Sequence, residues 1–515
     1  MRIGVDVGGT NTDAVVMSGV KVVSWFKSPT TDDIATGIIT AIKHVLSENG
    51  IPTQSIGSVM IGTTQFTNAL VERKKLVEAG IIRIALPATA SIPPLTDWPK
   101  DLVDIIGRHI HLIAGGYEYD GRQISRLDEI AILKAAQDFK RKGLCAIAIS
   151  CVFSPMNMEM EQRAAEIVRG EIPEAKITLS SEVGRLGLLE RENAAILNAS
   201  LSRLAAAVVK SCRRSLDNLG ISSPIFISQN DGTLMGLDQL ERFPIMTFAS
   251  GPTNSMRGAA FLSNLEDAIV IDIGGTTTDI GVLVKGFPRQ SAVSVDIGGV
   301  RTNFRMPDIL SVGLGGGSLV RGNGAITVGP DSVGFKLTEM ARIFGGETLT
   351  ATDIVVAAGL ADIGNPAAVA DIEPGTITAV LENIHQNIAI AVDRMKTSAE
   401  EIPVILVGGG SILAPANIPG ASRVIIPDYY SVANAIGAAI AQASGEVDKV
   451  YSYNSLGRDG AIQQAIEEAK NSAVSAGAKE DSLRVVDVSE LPLAYMPGGM
   501  TRLRVKVVGD HSGVS

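Results

Sequence analysis

Residues 5 to 13 read Val-Asp-Val-Gly-Gly-Thr-Asn-Thr-Asp, and residues 271 to 279 read Ile-Asp-Ile-Gly-Gly-Thr-Thr-Thr-Asp. Six of the nine positions are identical, and two of the others exchange Val for Ile. The copies stand 266 residues apart, too long a period for a solenoid. Each follows an apolar run (Ile3 to Val7, Ala268 to Ile273) and precedes another (Ala14 to Met17, Ile280 to Val284). A glycine-rich turn between β-branched runs predicts a hairpin. Two matched hairpins predict two lobes, each opening with the same device.

Outward from the hairpins, strand-like and helix-like patterns alternate. Ile34 to Asn49 has helical spacing, with Ile34, Ile38, Ile42, Val45 and Leu46 on one side. Leu127 to Lys142, Glu190 to Leu219, Thr376 to Thr397 and Ser431 to Ala443 also read as helical. Ser58 to Ile61, Leu144 to Ser150, Ile225 to Ser228 and Val404 to Val407 read as strands. This alternation predicts an α/β class with helices covering mixed sheets. Boundaries are expected near 185 and 445, giving units 1–185, 186–445 and a small α/β segment at 446–515. Gly-rich loops dominate 313 to 346, and Leu503 to Val508 reads as an exposed edge strand.

Composition narrows the class. Of 515 residues, 45% are hydrophobic and 19% charged, as in a folded globular chain. The net charge of −10 and the lack of a Lys/Arg block argue against a nucleic-acid partner. No stretch approaches the roughly 18 apolar residues that span a bilayer, so no membrane partner is expected. The start, Met1-Arg2-Ile3-Gly4-Val5-Asp6, is no signal peptide, and a cytoplasmic location follows as an expectation. The three cysteines (Cys145, Cys151 and Cys212) form no C-x-x-C pair. Cys145 and Cys151 sit in an apolar run that reads as a core strand.

The twin hairpins carry the chemistry. A polyphosphate needs closely approaching backbone N–H groups, and glycine permits that approach. Gly8, Gly9, Gly274 and Gly275 supply it. Thr10, Asn11, Thr12, Thr276, Thr277 and Thr278 add neutral donors. Carboxylates at the strand ends can hold the waters of Mg²⁺ or orient an attacking group. Asp6 and Asp272 are the candidate catalytic residues and metal holders. Asp13 and Asp279 either touch ligand or fix the hairpins. A third element, Ile405-Leu406-Val407 followed by Gly408, Gly409, Gly410 and Ser411, runs from strand to triple glycine to helix. Such a turn lets a flat base lie against the backbone. ATP and Mg²⁺ are the expected cofactors.

In this order the three elements resemble the nucleotide site of the actin, hexokinase and heat-shock chaperone superfamily. The resemblance implies two actin-like, ribonuclease H-like lobes around a central nucleotide cleft. A closer one follows. Met60 to Arg73 reads M-I-G-T-T-Q-F-T-N-A-L-V-E-R, which is similar to the T-T-x-x-T-N-A-L-x-E-R signature of hydantoinase/oxoprolinase A subunits. Tyr117 to Gly121, Glu190 to Asn193 with Asn198, Gln229 to Gly232, Ala249 to Pro252, Leu314 to Ser318 and Val328 to Ser332 follow in the family's order. The resemblance covers roughly residues 1 to 440. It adds Gly315 and Gly316 to the nucleotide site and brings Ser250, Asn230 and Asp231 toward the cleft.

Members of that family spend ATP to open cyclic amides, or to activate ketones for carboxylation. The resemblance thus implies an ATP-dependent hydrolase acting on a hydantoin, 5-oxoproline or related lactam. It also implies a separate B-type subunit and an oligomer. A sugar or polyol kinase and a non-enzymatic nucleotide switch of the same fold are the alternatives. The chain departs from the family at Thr253-Asn254-Ser255, where Ala-Gly-Gly is usual, and at Val333 to Leu337. These departures bear on substrate and partner, not on the three nucleotide motifs. His109 and His111, two apart on one strand face, make two ligands and no convincing zinc site. Arg301 and Arg305 read as a solvated loop, or as contacts for an anionic substrate.

Overall fold

In the computed structural model of the chain, the residues described are 1–30, 34–291, 294–322, 326–493 and 499–511. The chain opens with β1 (Arg2–Val7), β2 (Asn11–Ser18) and β3 (Lys21–Pro29), an antiparallel meander. The helix α1 (Ile34–Ser47) buries Ile38, Ile42, Val45 and Leu46, the face its spacing predicts. β4 (Ser58–Thr63) then pairs parallel to β1, and α2 (Gln65–Val71) follows at once.

Between α2 and residue 180 lies a smaller unit. Its four strands, His109–Ala114, Gly80–Leu86, Ala146–Cys151 and Lys176–Leu179, run parallel in that order. A bidentate ion pair between buried Arg83 and Glu192 pins it to the main body. The long helical region after 188 breaks at Leu201 into Leu188–Ser200 and Ser202–Leu219. The chain then returns to the first sheet as β5 (Ile225–Ser228) and β6 (Thr233–Gly236).

Helix α3 (Ser250–Ser263) leads into the second lobe. There β7 (Ala268–Ile273) pairs antiparallel with β8 (Thr278–Val284) and parallel with β9 (Ile402–Val407). Its core, with Ile269, Ile271, Ile384 and Leu406 fully or almost fully buried, is separate from that of the first lobe. Helix α4 (Ala433–Ile440) brings the chain back. The helices α3 and α4 touch through their backbones: a Cβ on Gly437 would sit 1.8 Å from the Asn254 carbonyl oxygen.

The tail differs from expectation. β10 (Gln442–Ser452), β11 (Arg484–Pro492) and β12 (Met500–Gly509) extend the first sheet to nine strands. The segment read as an exposed edge, Leu503 to Val508, lies inside it, because β12 sits between β10 and β11 and β11 is the edge. Leu503, Val505 and Val507 are fully buried under helix α5 (Arg458–Ser475). The intervening Arg502, Arg504 and Lys506, whose charges suggest exposure, meet Asp448, Glu446 and Asp231 instead. Helix α5 approaches closely because its inner face is Ala461, Ala465, Ala469 and Ala473. Among the described residues, no helix is long and apolar enough to cross a membrane.

Candidate active site

The two hairpins close with the same turn. Gly8 N–H donates to the Asn11 carbonyl at 3.0 Å, and Gly274 N–H donates to that of Thr277 at 2.9 Å. The registers match as well: Asp6 lies opposite Asp13, and Asp272 opposite Asp279. The turns converge. An ideal Cβ on Gly275 would lie 3.1 Å from Thr10 Cγ2, so the second turn rests on the first.

A cavity of about 710 Å³ opens where they meet. Asp6, Gly8, Gly9, Thr10, Asn11 and Asp13 line it from one lobe. Asp272, Gly274, Gly275, Thr276, Thr277 and Asp279 line it from the other. Gly316, Gly408, Gly409 and Gly410 border it as well, with Phe344 and Ile412 as apolar neighbours. Gly316 N–H donates to the Gly274 carbonyl and Gly410 N–H to that of Ile273, so both glycine loops are docked on the second hairpin.

Four expected site residues do not line the cavity. Thr278 donates to the Leu314 carbonyl at 2.6 Å, and Ser411 to the Val407 and Gly408 carbonyls at 2.8 Å. The Thr12 hydroxyl lies 3.4 Å from that of Thr30, and Gly315 packs on the Gly275 backbone. These residues hold the wall from behind. The triple glycine leads into a short 3₁₀ turn, Ser411–Leu413, rather than a full helix.

The carboxylates are held by neutral amides, hydroxyls and one cation. Asn254 Nδ2 donates to Asp6 Oδ1 at 3.0 Å, and Asn434 Nδ2 donates to Asp6 Oδ2 at 3.1 Å and Asp13 Oδ2 at 2.7 Å. Lys27 Nζ pairs with Asp13 at 2.9 Å and also donates to the Ser431 carbonyl. Ser255 bonds Asp272, and Ser311 bonds Asp279. Burial pushes the Asp6 carboxyl up to about 6; the two amides oppose the shift, and the charges of Asp13 and Asp272 add to it. Burial raises Asp279 to about 6 as well, against the Ser311 hydrogen bond and with the help of Asp272. Asp13 and Asp272 move in the same direction for the same first reason. Five carboxylates on one cavity, these four and Glu72, with a single lysine make a site that favours cations.

Lys27, Asn254, Ser255 and Asn434 went unread in the sequence. Lys27 had a signal, because strand alternation sets it directly across from Asp13. Asn254 and Ser255 fall where the chain departs from its resemblance. Thr64, Asn68 and Glu72 also line the cavity, at every fourth residue of the T-T-x-x-T-N-A-L-x-E-R run.

Other candidates lie elsewhere. Asp231 is fully buried and ion-paired with Lys506 at 2.7 Å and Arg305 at 3.1 Å. Burial would raise its carboxyl, but Arg305 and Lys506 outweigh that and hold it well below the usual range. Asn230 donates to the Arg305 carbonyl, and Ser250 to that of Thr63. None of the three lines the cleft. Arg305 is therefore neither a solvated residue nor a ligand contact, because buried carboxylates already occupy it. Arg301 remains exposed, bonded to Ser294. His109 and His111 each meet one carboxylate, Glu78 and Asp138. Among the described residues, no three His, Cys, Asp or Glu side chains form a metal-holding group.

Residues 2–172 match the family model described as the hydantoinase/oxoprolinase N-terminal region, and residues 191–363 match the one described as hydantoinase/oxoprolinase. Caprolactamase subunit alpha of Pseudomonas jessenii is 29% identical over 386 residues, covering 70% of this chain and 55% of its own length. The acetophenone carboxylase gamma subunit of Aromatoleum aromaticum is 26% identical over 398 residues, covering 69% and 53%. 5-Oxoprolinase 1 of Arabidopsis thaliana is 28% identical over 410 residues, covering 68% and 31%. The chain spans about half the length of the first two relatives and a third of the last. Among solved structures, the ATP-dependent caprolactamase from Pseudomonas jessenii superposes with a TM-score of 0.79 at 20% identity, covering 99% of this chain and 87% of that one. Nucleotide-free acetone carboxylase superposes with 0.70 at 18% identity, covering 100% and 88%. The two-lobed α/β ATPase fold is shared with both.

Proposed function

The chain belongs to the hydantoinase/oxoprolinase family, and we propose that it is an ATP-dependent enzyme that activates the carbonyl of a cyclic amide or related compound by phosphoryl transfer. The observation that carries this reading is the contact between the two hairpin turns at Thr10 and Gly275, with carboxylates of both lobes on one cavity. Converging N–H-rich turns suit a polyphosphate, and the apolar Phe344 and Ile412 beside Gly410 suit a base.

A lactam carbonyl is a poor electrophile because nitrogen donates into it. When bound, ATP supplies the terminal phosphoryl group that turns the carbonyl oxygen into a leaving group. Phosphoryl transfer to that oxygen would release ADP; water adding at the same carbon would break the C–N bond as the nitrogen takes a proton, and a second water would release phosphate. Asp6 and Asp272 would hold the hydrated Mg²⁺. This fits the raised carboxyls, since a divalent cation offsets the cost of burying their charge and the smaller repulsion between them. Lys27, fixed by Asp13 and Ser431, adds positive charge.

Relatives are named as alpha, gamma and beta subunits, which supports a separate partner subunit here as well. The test is ATP hydrolysis by the purified chain, with and without lactams, hydantoins and sugars. Stimulation by a ring amide, with ring opening alone or on adding a partner subunit, is expected. A sugar phosphate formed without amide turnover overturns the reading.

A further inference from the structure

One stretch of the cavity lining is polar and has no assigned task. β4 runs beside β1, with Gly62 across from Asp6 and Thr63 across from Val7. Helix α2 therefore starts next to Asp6. Its inner face, Phe66, Ala69 and Leu70, is buried in the first lobe. Thr64, Asn68 and Glu72, four residues apart and so stacked on one face, line the cavity instead. A Cβ on Gly251 would lie 3.5 Å from Thr64 Cγ2 and 4.0 Å from Asp6 Oδ2, so Thr64, Gly251 and Asp6 share one corner. Thr64 spends its proton on the Val7 carbonyl, and Glu72 is paired with Lys74. The Asn68 carboxamide is exposed and has no hydrogen-bond partner among the described residues.

A primary carboxamide presents a donor and an acceptor side by side. Its complement is a group with N–H and C=O on one edge. A secondary amide in a small ring is held cis and has that edge. An open-chain secondary amide is trans and points the two groups apart. We propose that Asn68 reads the N–H/C=O edge of a cis secondary amide, holding the ring against Asp6 and selecting rings over open chains. This rests on the ring-amide reading above and names the residue that would enforce it. Two hydrogen bonds to one edge discriminate sharply, because an analogue lacking either group leaves its partner unmatched.

The test is calorimetric titration of the full chain, loaded with a non-hydrolysable ATP analogue, using 5-oxoproline, hydantoin, ε-caprolactam, N-methylcaprolactam and N-methylacetamide. At least one of the first three is expected to bind, with the last two at least tenfold weaker. Asn68→Ala should weaken the bound ring about tenfold or more, abolish the preference over N-methylcaprolactam, and leave ATP-analogue affinity within twofold. Asn68→Ala with unchanged ring affinity overturns the proposal, as does equal binding of ring and N-methyl ring by the unaltered protein. Absence of binding by all three rings overturns it too. Binding through Asn68 without stimulated ATP hydrolysis would instead sink the enzymatic reading and leave the subsite standing.

Discussion

Asp279 sits directly opposite Asp272 in the second hairpin, two carboxylates of like charge on paired strands of one cleft. Such a pair is destabilising when both ionise. Asp279, raised to about 6, contributes stability that is complete below its unfolded value of 3.8 and lost as pH rises through 6. Asp279→Asn removes the charge and leaves Ser311 a partner. Without nucleotide, the variant should be more stable than the parent above pH 7 by about 1 kcal/mol, after allowing for solvent in the cleft. The gain should vanish below pH 4. Thermal unfolding across that range checks it.

Asp272→Asn should cost phosphoryl transfer about a hundredfold or more while the fold persists, since it removes a charge aimed at the reacting group. Stimulated ATPase rates beside circular dichroism decide this. Full activity in the variant removes Asp272 from the mechanism.

Asn254 Nδ2 opposes the rise of the Asp6 carboxyl. Asn254→Ala should therefore move the acid limb of the kcat/KM profile to higher pH, above about 6, with KM for ATP little changed. Gly62→Ala should act on the same bond by intrusion, because its Cβ would lie 2.1 Å from Asp6 Oδ1 and 2.4 Å from Asn254 Nδ2. An unshifted pH profile in Asn254→Ala denies Asn254 its influence on Asp6.

Asp231 bridges Lys506 of β12 and Arg305 in a fully buried site. Asp231→Ala strands Lys506, while Arg305 keeps Glu446, and should destabilise by about 3–5 kcal/mol. Its carboxyl stays ionised far below the usual range, so the loss should be the same from pH 5 to 8. Urea unfolding at both ends of that range tests it. A cost under 1 kcal/mol would mean that water replaces the carboxylate.

What the sequence disclosed tracks how local each cause is. The hairpins were legible because turn and flanking strands are contiguous, Arg2 to Ser18 and Ala268 to Val284. The helices α1 and α4 were legible from their periodicity. The position of β12 was not, because its neighbour β10 comes from some fifty residues earlier and its charges are neutralised by Asp448, Glu446 and Asp231. Arg305 and Asp231 misled for the same reason. Lys27 was half-legible: strand register sets it across from Asp13, but nothing local shows that both face a cavity. Asn254 and Ser255 stood out only as departures, and their role appears once α3 is packed beside both hairpins.

The chain enters the second lobe along α3 and leaves along α4, and those helices lie backbone to backbone at Gly437 and Asn254. Between these two crossings the chain makes another excursion, burying Ile297, Val300 and Phe304 in the first lobe's core before Ile309–Val312 rejoins the second sheet. The lobes are thus stitched together at several places, and a single turn of α3 reaches the carboxylates of both, Asn254 to Asp6 and Ser255 to Asp272.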